Sequence, residues 1–149
     1  FISWGKGEKM DTALKKNSDR LKEIKDMFSL FSDPLDMYAQ LVDIGKGAHN
    51  MNDDEKTDKN IIKGCTSKAW MIISKLSNNN YIIRTDSDSH IVSGLLYLFS
   101  LSINSQSKSY INNVDAIKIL NSIGLDGHIT SQRTNGFISA VETLKNRIN

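Results

Sequence analysis

Apolar residues recur at helical spacing through the first third of the chain. Leu21, Ile24, Phe28 and Phe31 fall three or four apart, with Met27 beside the stripe, which predicts an amphipathic helix. Asp33-Pro34 then marks a break and a new start, with Asp33 as N-cap and Pro34 in the first turn. Leu35, Tyr38, Leu41 and Val42 carry a second helix, which Gly45 and Gly47 are expected to end. Residues 48–60 are polar, charged and without period, the pattern of an exposed loop.

From Ile61 the pattern changes. Ile61-Ile62-Lys63 reads as a short strand, Trp70 to Leu76 as a second with Trp70, Ile72 and Leu76 on its apolar face, and Tyr81 to Arg84 as the returning third. Asn78-Asn79-Asn80 makes the turn, because asparagine tolerates the left-handed backbone. Asp86-Ser87-Asp88-Ser89 supplies capping residues before the broad apolar run Ile91, Val92, Leu95, Leu96, Leu98 and Phe99, so a buried central helix is expected. A polar connection, 102–113, leads to a short helix through Val114, Ile117 and Leu120 that stops at Gly124. Ser131 opens a last helix with Phe137, Val141, Leu144 and Ile148 on one side. The fold class is α+β: helices packed on one face of a small antiparallel sheet of about three strands. Residues 1–17 read as a flexible N-terminal segment and 18–149 as a single domain.

The chain has 149 residues, and a chain of that size buries about 68–70% of its unfolded surface, enough for an unaided core. A net charge of +2 is too small to argue for nucleic acid. No apolar run approaches the roughly 18 residues of a membrane span. Cys65 is the one cysteine, so no internal disulfide or cysteine-rich metal site can form, and a thiol-compatible compartment is expected.

Cys65 is the first candidate for chemistry. It follows Gly64, the expected hinge, and Lys63 and Lys68 flank it with positive charge that favours the thiolate. Thr66 and Ser67 offer hydroxyls to a thiolate or a terminal sulfur. The bland alternative is an inert, buried cysteine. Asp86 and Asp88 are a carboxylate pair; beside acid–base work or metal binding stands the plainer role of stabilising a helix start or holding the cysteine loop or the last helix. Arg133 opposes the dipole of the last helix, which points to a specific partner, Asp86 or Asp88 within the chain or a carboxylate of another protein. His49, His90 and His128 are scattered, and His128 suits the turn before the last helix.

Three separated segments resemble one family. Ile62-Lys63-Gly64-Cys65-Thr66-Ser67-Lys68-Ala69-Trp70, Asp86-Ser87-Asp88-Ser89-His90-Ile91-Val92-Ser93-Gly94-Leu95 and His128-Ile129-Thr130-Ser131-Gln132-Arg133-Thr134-Asn135-Gly136-Phe137 are similar, in order and spacing, to motifs of the SufE-type sulfur acceptors of iron–sulfur cluster assembly. Leu41 to Lys46 extends the likeness toward the N-terminus. The resemblance implies a SufE/IscU-like fold and a carrier, not an enzyme in its own right. Cys65 would take a persulfide sulfur from a pyridoxal-phosphate-dependent cysteine desulfurase, stimulate that enzyme, and deliver the sulfur to a SufB-containing scaffold. Gly64, Ser67, Asp86, Asp88, His128 and Arg133 would support the loop or the partner interface. No metal and no cofactor of its own are implied, since pyridoxal phosphate belongs to the desulfurase. Thr66, Lys68 and Thr85 depart from residues common in bacterial members, which bears on partner choice. The Asn- and Lys-rich composition and the start at Phe1 suggest a plastid-type organelle after transit-peptide removal, with a bacterial cytoplasm as the alternative. A cysteine hydrolase using a histidine, and a non-catalytic interaction module, are the competing readings.

Overall fold

The computed structural model describes residues 7–65, 67–125 and 127–149, with side chains from Leu14 onward. Helix α1 spans Gly7–Ser29, and its apolar stripe packs as expected, with Ile24 and Phe28 buried. The helix starts well before that stripe. Lys, Glu, Met and Ala in residues 7–17 favour helix by propensity, and Asn17 donates its amide to the Asn104 carbonyl. The flexible end expected over residues 1–17 therefore overlaps a helix from Gly7; residues 1–6 lie outside the described residues.

Helix α2 is Pro34–Gly47, capped by Asp33, whose carboxylate accepts from the Leu35 amide at 3.0 Å. Gly47 is its last residue, but Gly45 lies buried inside it. A Cβ on Gly45 would overlap the His90 carbonyl, and one on Gly94 would stand 2.5 Å from the Leu41 carbonyl oxygen. Helix α3 (His90–Ile103), which carries His90 and Gly94, thus meets α2 backbone to backbone. It is the central helix: Leu95, Leu96, Leu98, Phe99 and Ile103 are all buried. Its cap is Ser89, which accepts from the Val92 amide, and not either aspartate before it.

Strands β1 (Ala69–Lys75) and β2 (Tyr81–Ser87) pair antiparallel, Ala69 opposite Ser87 and Lys75 opposite Tyr81. Asn79 takes the left-handed turn position, φ +69°. The expected first strand is reduced to a single bridge, Ile61 with Trp70. The Arg147 guanidinium explains the shortfall: it donates to the Ile61 and Met71 carbonyls at 2.9 and 3.1 Å, crossing the edge where a strand would continue. Met71, Ile73, Tyr81 and Ile83 face the helices. Trp70 is buried, but on the opposite face, under Lys56, whose ammonium stands 5.5 Å from the indole centre. Alternation puts Trp70 and Met71 on different faces, and it is Met71 that enters the core.

The polar connection contains a one-turn helix, α4 (Lys108–Asn112), which buries Ile111. Helix α5 (Ala116–Ile123) starts at the Asp115 cap and stops at Gly124, φ +90°. Helix α6 (Ser131–Ile148) is capped by Thr130 and buries Phe137, Val141 and Leu144.

The α2–α3 contact leaves no room for a methyl group at its centre. Gly45→Ala should cost about 2 kcal/mol, as for a methyl forced into a packed contact. Urea unfolding checks it; a loss below about 0.5 kcal/mol, the ordinary surface effect, would mean that the helices part without penalty.

Candidate functional site

The Cys65 loop leaves the Ile61 bridge through a Lys63-Gly64 turn. Gly64 has φ +93°, a conformation that side chains with a Cβ rarely adopt, and a Cβ there would stand 2.5 Å from Ser139 Oγ on α6. The next residue turns its thiol inward. Cys65 is half-buried, and its Sγ donates to the Gly136 carbonyl at 3.7 Å. A Cβ on Gly136 would come within 3.3 Å of that sulfur. Two glycines, one in the loop and one in the helix, therefore let the loop lie flat on α6.

Beside the sulfur is a cavity of about 20 Å³ lined by Cys65, Val92, Leu95, Leu96, Phe137 and Gly136, with Gln132 and Arg133 as its polar walls. That volume admits about one water-sized atom. Burial pushes the Cys65 thiol pKa up. Lys63 and Lys68 do not offset it, so the tucked residue is a thiol and not the thiolate that the flanking charges suggested. Ser67 is not the sulfur's hydrogen-bond partner, and Thr66 lies outside the described residues.

The loop's return is held by the Asp86-Ser87-Asp88 segment. Ser87 Oγ and the Asp88 amide both donate to the Lys68 carbonyl, at 2.7 and 3.1 Å. Asp86 itself is fully buried. Its carboxylate accepts from His49 Nδ1 at 2.5 Å, the Ser87 amide at 2.8 Å and the Met51 amide at 3.2 Å, with Lys56 Nζ at 3.7 Å. Burial alone would raise the Asp86 pKa; the hydrogen bonds from His49, Ser87 and Met51 outweigh it and hold the carboxyl below its ordinary range. His49 Nε2 in turn meets His90 Nδ1 at 3.0 Å. Arg84 and Glu55 form a further ion pair over the same face of the sheet. The loop expected over residues 48–60 is largely exposed, and it forms a strap of two short 3-10 turns in which His49 and Lys56 turn to Asp86 and Glu55 turns to Arg84.

Arg133 lines the Cys65 cavity but pairs with neither aspartate among the described residues. Its guanidinium lies 5.2 Å from the ring centre of Tyr38 on α2, a cation–π contact. Asp88 is exposed. His128 is exposed in the turn before α6 and borders a different groove, with Phe31 and Met37. No histidine lines the cavity among the described residues, and none of their His, Cys, Asp and Glu side chains form a group of three able to hold a metal ion. The sequence reading named His49 only as one of three scattered histidines and did not pair it with Asp86, and it did not name Lys56. A buried aspartate on a strand demands partners, but nothing local in the sequence says which residues supply them.

The family model for SufE, an Fe-S metabolism associated domain, matches residues 22–148. The chain belongs to the SufE family. Uncharacterized SufE-like proteins of Rhizobium meliloti (strain 1021) and Rhizobium etli are each 30% identical to it over 128 residues, 84% of this chain and 91% and 86% of theirs. A hypothetical protein of Thermus thermophilus, its structure determined in solution, shares the fold with a TM-score of 0.64 at 13% identity, over 86% of this chain and 92% of that one. These findings place the chain in iron–sulfur metabolism and agree with the α+β reading.

Gly136→Val should push the thiol off α6. The pH at which iodoacetamide alkylation of Cys65 is half-maximal then falls toward that of a free cysteine, about 8.5. An unchanged pH profile would show that Gly136 does not seat the thiol. The strap yields a second expectation. The Arg84 guanidinium and then the Asn52 amide hold the Glu55 pKa at about 2, against an ordinary 4.5. A depressed carboxyl stabilises above its ordinary pKa and loses that contribution as pH falls, so the strap should loosen between pH 4.5 and about 2. Amide exchange of residues 50–56 reads the step, and Glu55→Gln should remove it; a step that survives belongs to Asp86.

Proposed function

We propose that Cys65 accepts a sulfur atom from the persulfide of a pyridoxal-phosphate-dependent cysteine desulfurase and passes it to a SufB-containing scaffold. The observation that carries this reading is a lone thiol next to a glycine of positive φ, seated over an apolar cavity with room for one further atom. Membership of the SufE family supplies the setting.

The chemistry is a sulfur transfer. When the loop leaves α6, water lowers the thiol pKa and Cys65 gives up its proton. Its thiolate attacks the terminal sulfur of the partner's cysteine persulfide. A Cys65–S–S bond forms, the partner's S–S bond breaks, and the partner's cysteine sulfur leaves with the electron pair as thiolate. No external oxidant or reductant enters. The same step, run with Cys65 as the leaving thiolate, discharges the sulfur to the scaffold. Gly64 and Gly136 set the tucked position, and the Lys68 carbonyl, held by Ser87 and Asp88, anchors the far end of the loop. A cysteine hydrolase needs a base beside the thiol, and the cavity walls carry none among the described residues.

Intact-mass spectrometry after mixing with a cysteine desulfurase and L-cysteine should show a gain of about one sulfur atom, removed by a reductant and absent in Cys65→Ser. Gly64→Val should slow the gain. A Cys65→Ser chain that gains sulfur as the parent does would sink the proposal.

A further inference from the structure

The two edges of the small sheet are treated differently. Along the outer edge of β2, Tyr81 exchanges backbone hydrogen bonds with Ser105 and Gln106, and the Ile83 amide donates to the Asn104 side chain. Along the outer edge of β1, the Ala69 carbonyl accepts from the Ile62 amide and the Met71 carbonyl accepts from Arg147. Every second residue of a strand turns its N–H and C=O the same way, so Ile73 and Lys75 also present theirs outward. Neither meets a partner there among the described residues.

A groove of about 590 Å³ runs beside this open half-edge, with Ile73 and Ile148 as apolar walls and Lys59, Lys75 and Arg147 around them. None of these three cations has a carboxylate within ion-pair distance among the described residues. The bonds of Arg147 go to neutral carbonyls, which leaves its charge unbalanced. A neighbouring groove shares Lys59 and Arg147 and adds Lys63, two residues before Cys65, with Asp58 as its acid.

We propose that the open half of β1 takes up an acidic, extended segment of a partner protein as an added strand. The unpaired backbone groups of Ile73 and Lys75 supply the hydrogen bonds, Ile73 and Ile148 take alternate apolar side chains, and the three cations select acidic ones. Lysine on an edge strand normally discourages pairing. Here the cations repel a second copy of this edge and admit a segment of opposite charge, which decides the kind of occupant. The reading rests on the edge and its charges and not on sulfur transfer.

The test is an amide NMR titration of the whole chain with a short peptide of alternating valine and glutamate. The Ile73 and Lys75 amides should shift and gain protection from hydrogen exchange, and added salt should weaken the binding. Lys59→Glu with Lys75→Glu should weaken it by about tenfold. Cys65→Ser should bind as the parent does, so failure of the sulfur proposal and failure of this one are read separately. The proposal is overturned if the double variant binds as the parent does, if a valine–lysine peptide binds equally, or if a single-stranded oligonucleotide shifts and protects the same two amides to the same extent, which would leave only a polyanion patch.

Discussion

Two helices touch backbone to backbone where Gly45 crosses α3 and Gly94 crosses α2, and the site is built outward from that contact. Because no side chain separates the axes there, α3 sits at a fixed depth against α2. Val92, Leu95 and Leu96, on the turns of α3 around Gly94, then become walls of the Cys65 cavity, while Phe137 closes it from α6. Tyr38, two turns before Gly45 on α2, supports the guanidinium of Arg133. A methylene of extra spacing between α2 and α3 would shift these three walls relative to the cation's support. Interiors packed at crystal density transmit such shifts instead of absorbing them.

The site shields two titratable groups from water, Asp86 fully and Cys65 in part, and treats them in opposite ways. Asp86 receives three hydrogen bonds and stands near Lys56, so it stays a carboxylate although fully buried. Burial raises the Cys65 pKa, and its sulfur makes one long hydrogen bond, donated to a carbonyl. The difference suits a loop that is firm at its root and loose at its tip. The Lys68 end is tied to the strand that carries Asp86, whereas the thiol end is held by packing against glycine and one weak hydrogen bond. Releasing the tip leaves the buried charge and its donors untouched.

Features set by near neighbours in the chain were legible in the sequence. The stripes of α1, α3 and α6, the Asp33 cap, the Asn79 turn, the Gly124 stop and the glycine turn before the cysteine all follow from spacing and local backbone preference. What escaped depends on distant residues. Arg147 reaches back across the chain to replace a third strand, and no periodicity announces a side chain standing in for backbone. Trp70 looked like a core residue because it is large and apolar, yet Lys56 and the strap shelter it on the other face. Gly45 looked like a helix stop, but its role is fixed by the carbonyl of His90 far along the chain.

Arg133 is the residue whose position makes least sense from α6 alone. A cation in the first turn meets the positive end of the helix dipole, and the Thr130 cap uses the Arg133 backbone amide and not its guanidinium. Its place on the cavity wall gives a reason in the sulfur-carrying reading. A persulfide ends in a sulfur more acidic than a thiol, and an anionic sulfur in an otherwise apolar cavity carries a desolvation cost. Arg133 is the one cation on the lining among the described residues. Held over Tyr38 by a contact with a neutral ring, it would offer a positive charge to a negative sulfur in that reading, while the void itself loses nothing by being filled. In that reading the tuck that keeps the empty thiol protonated would also hold the loaded sulfur beside a cation.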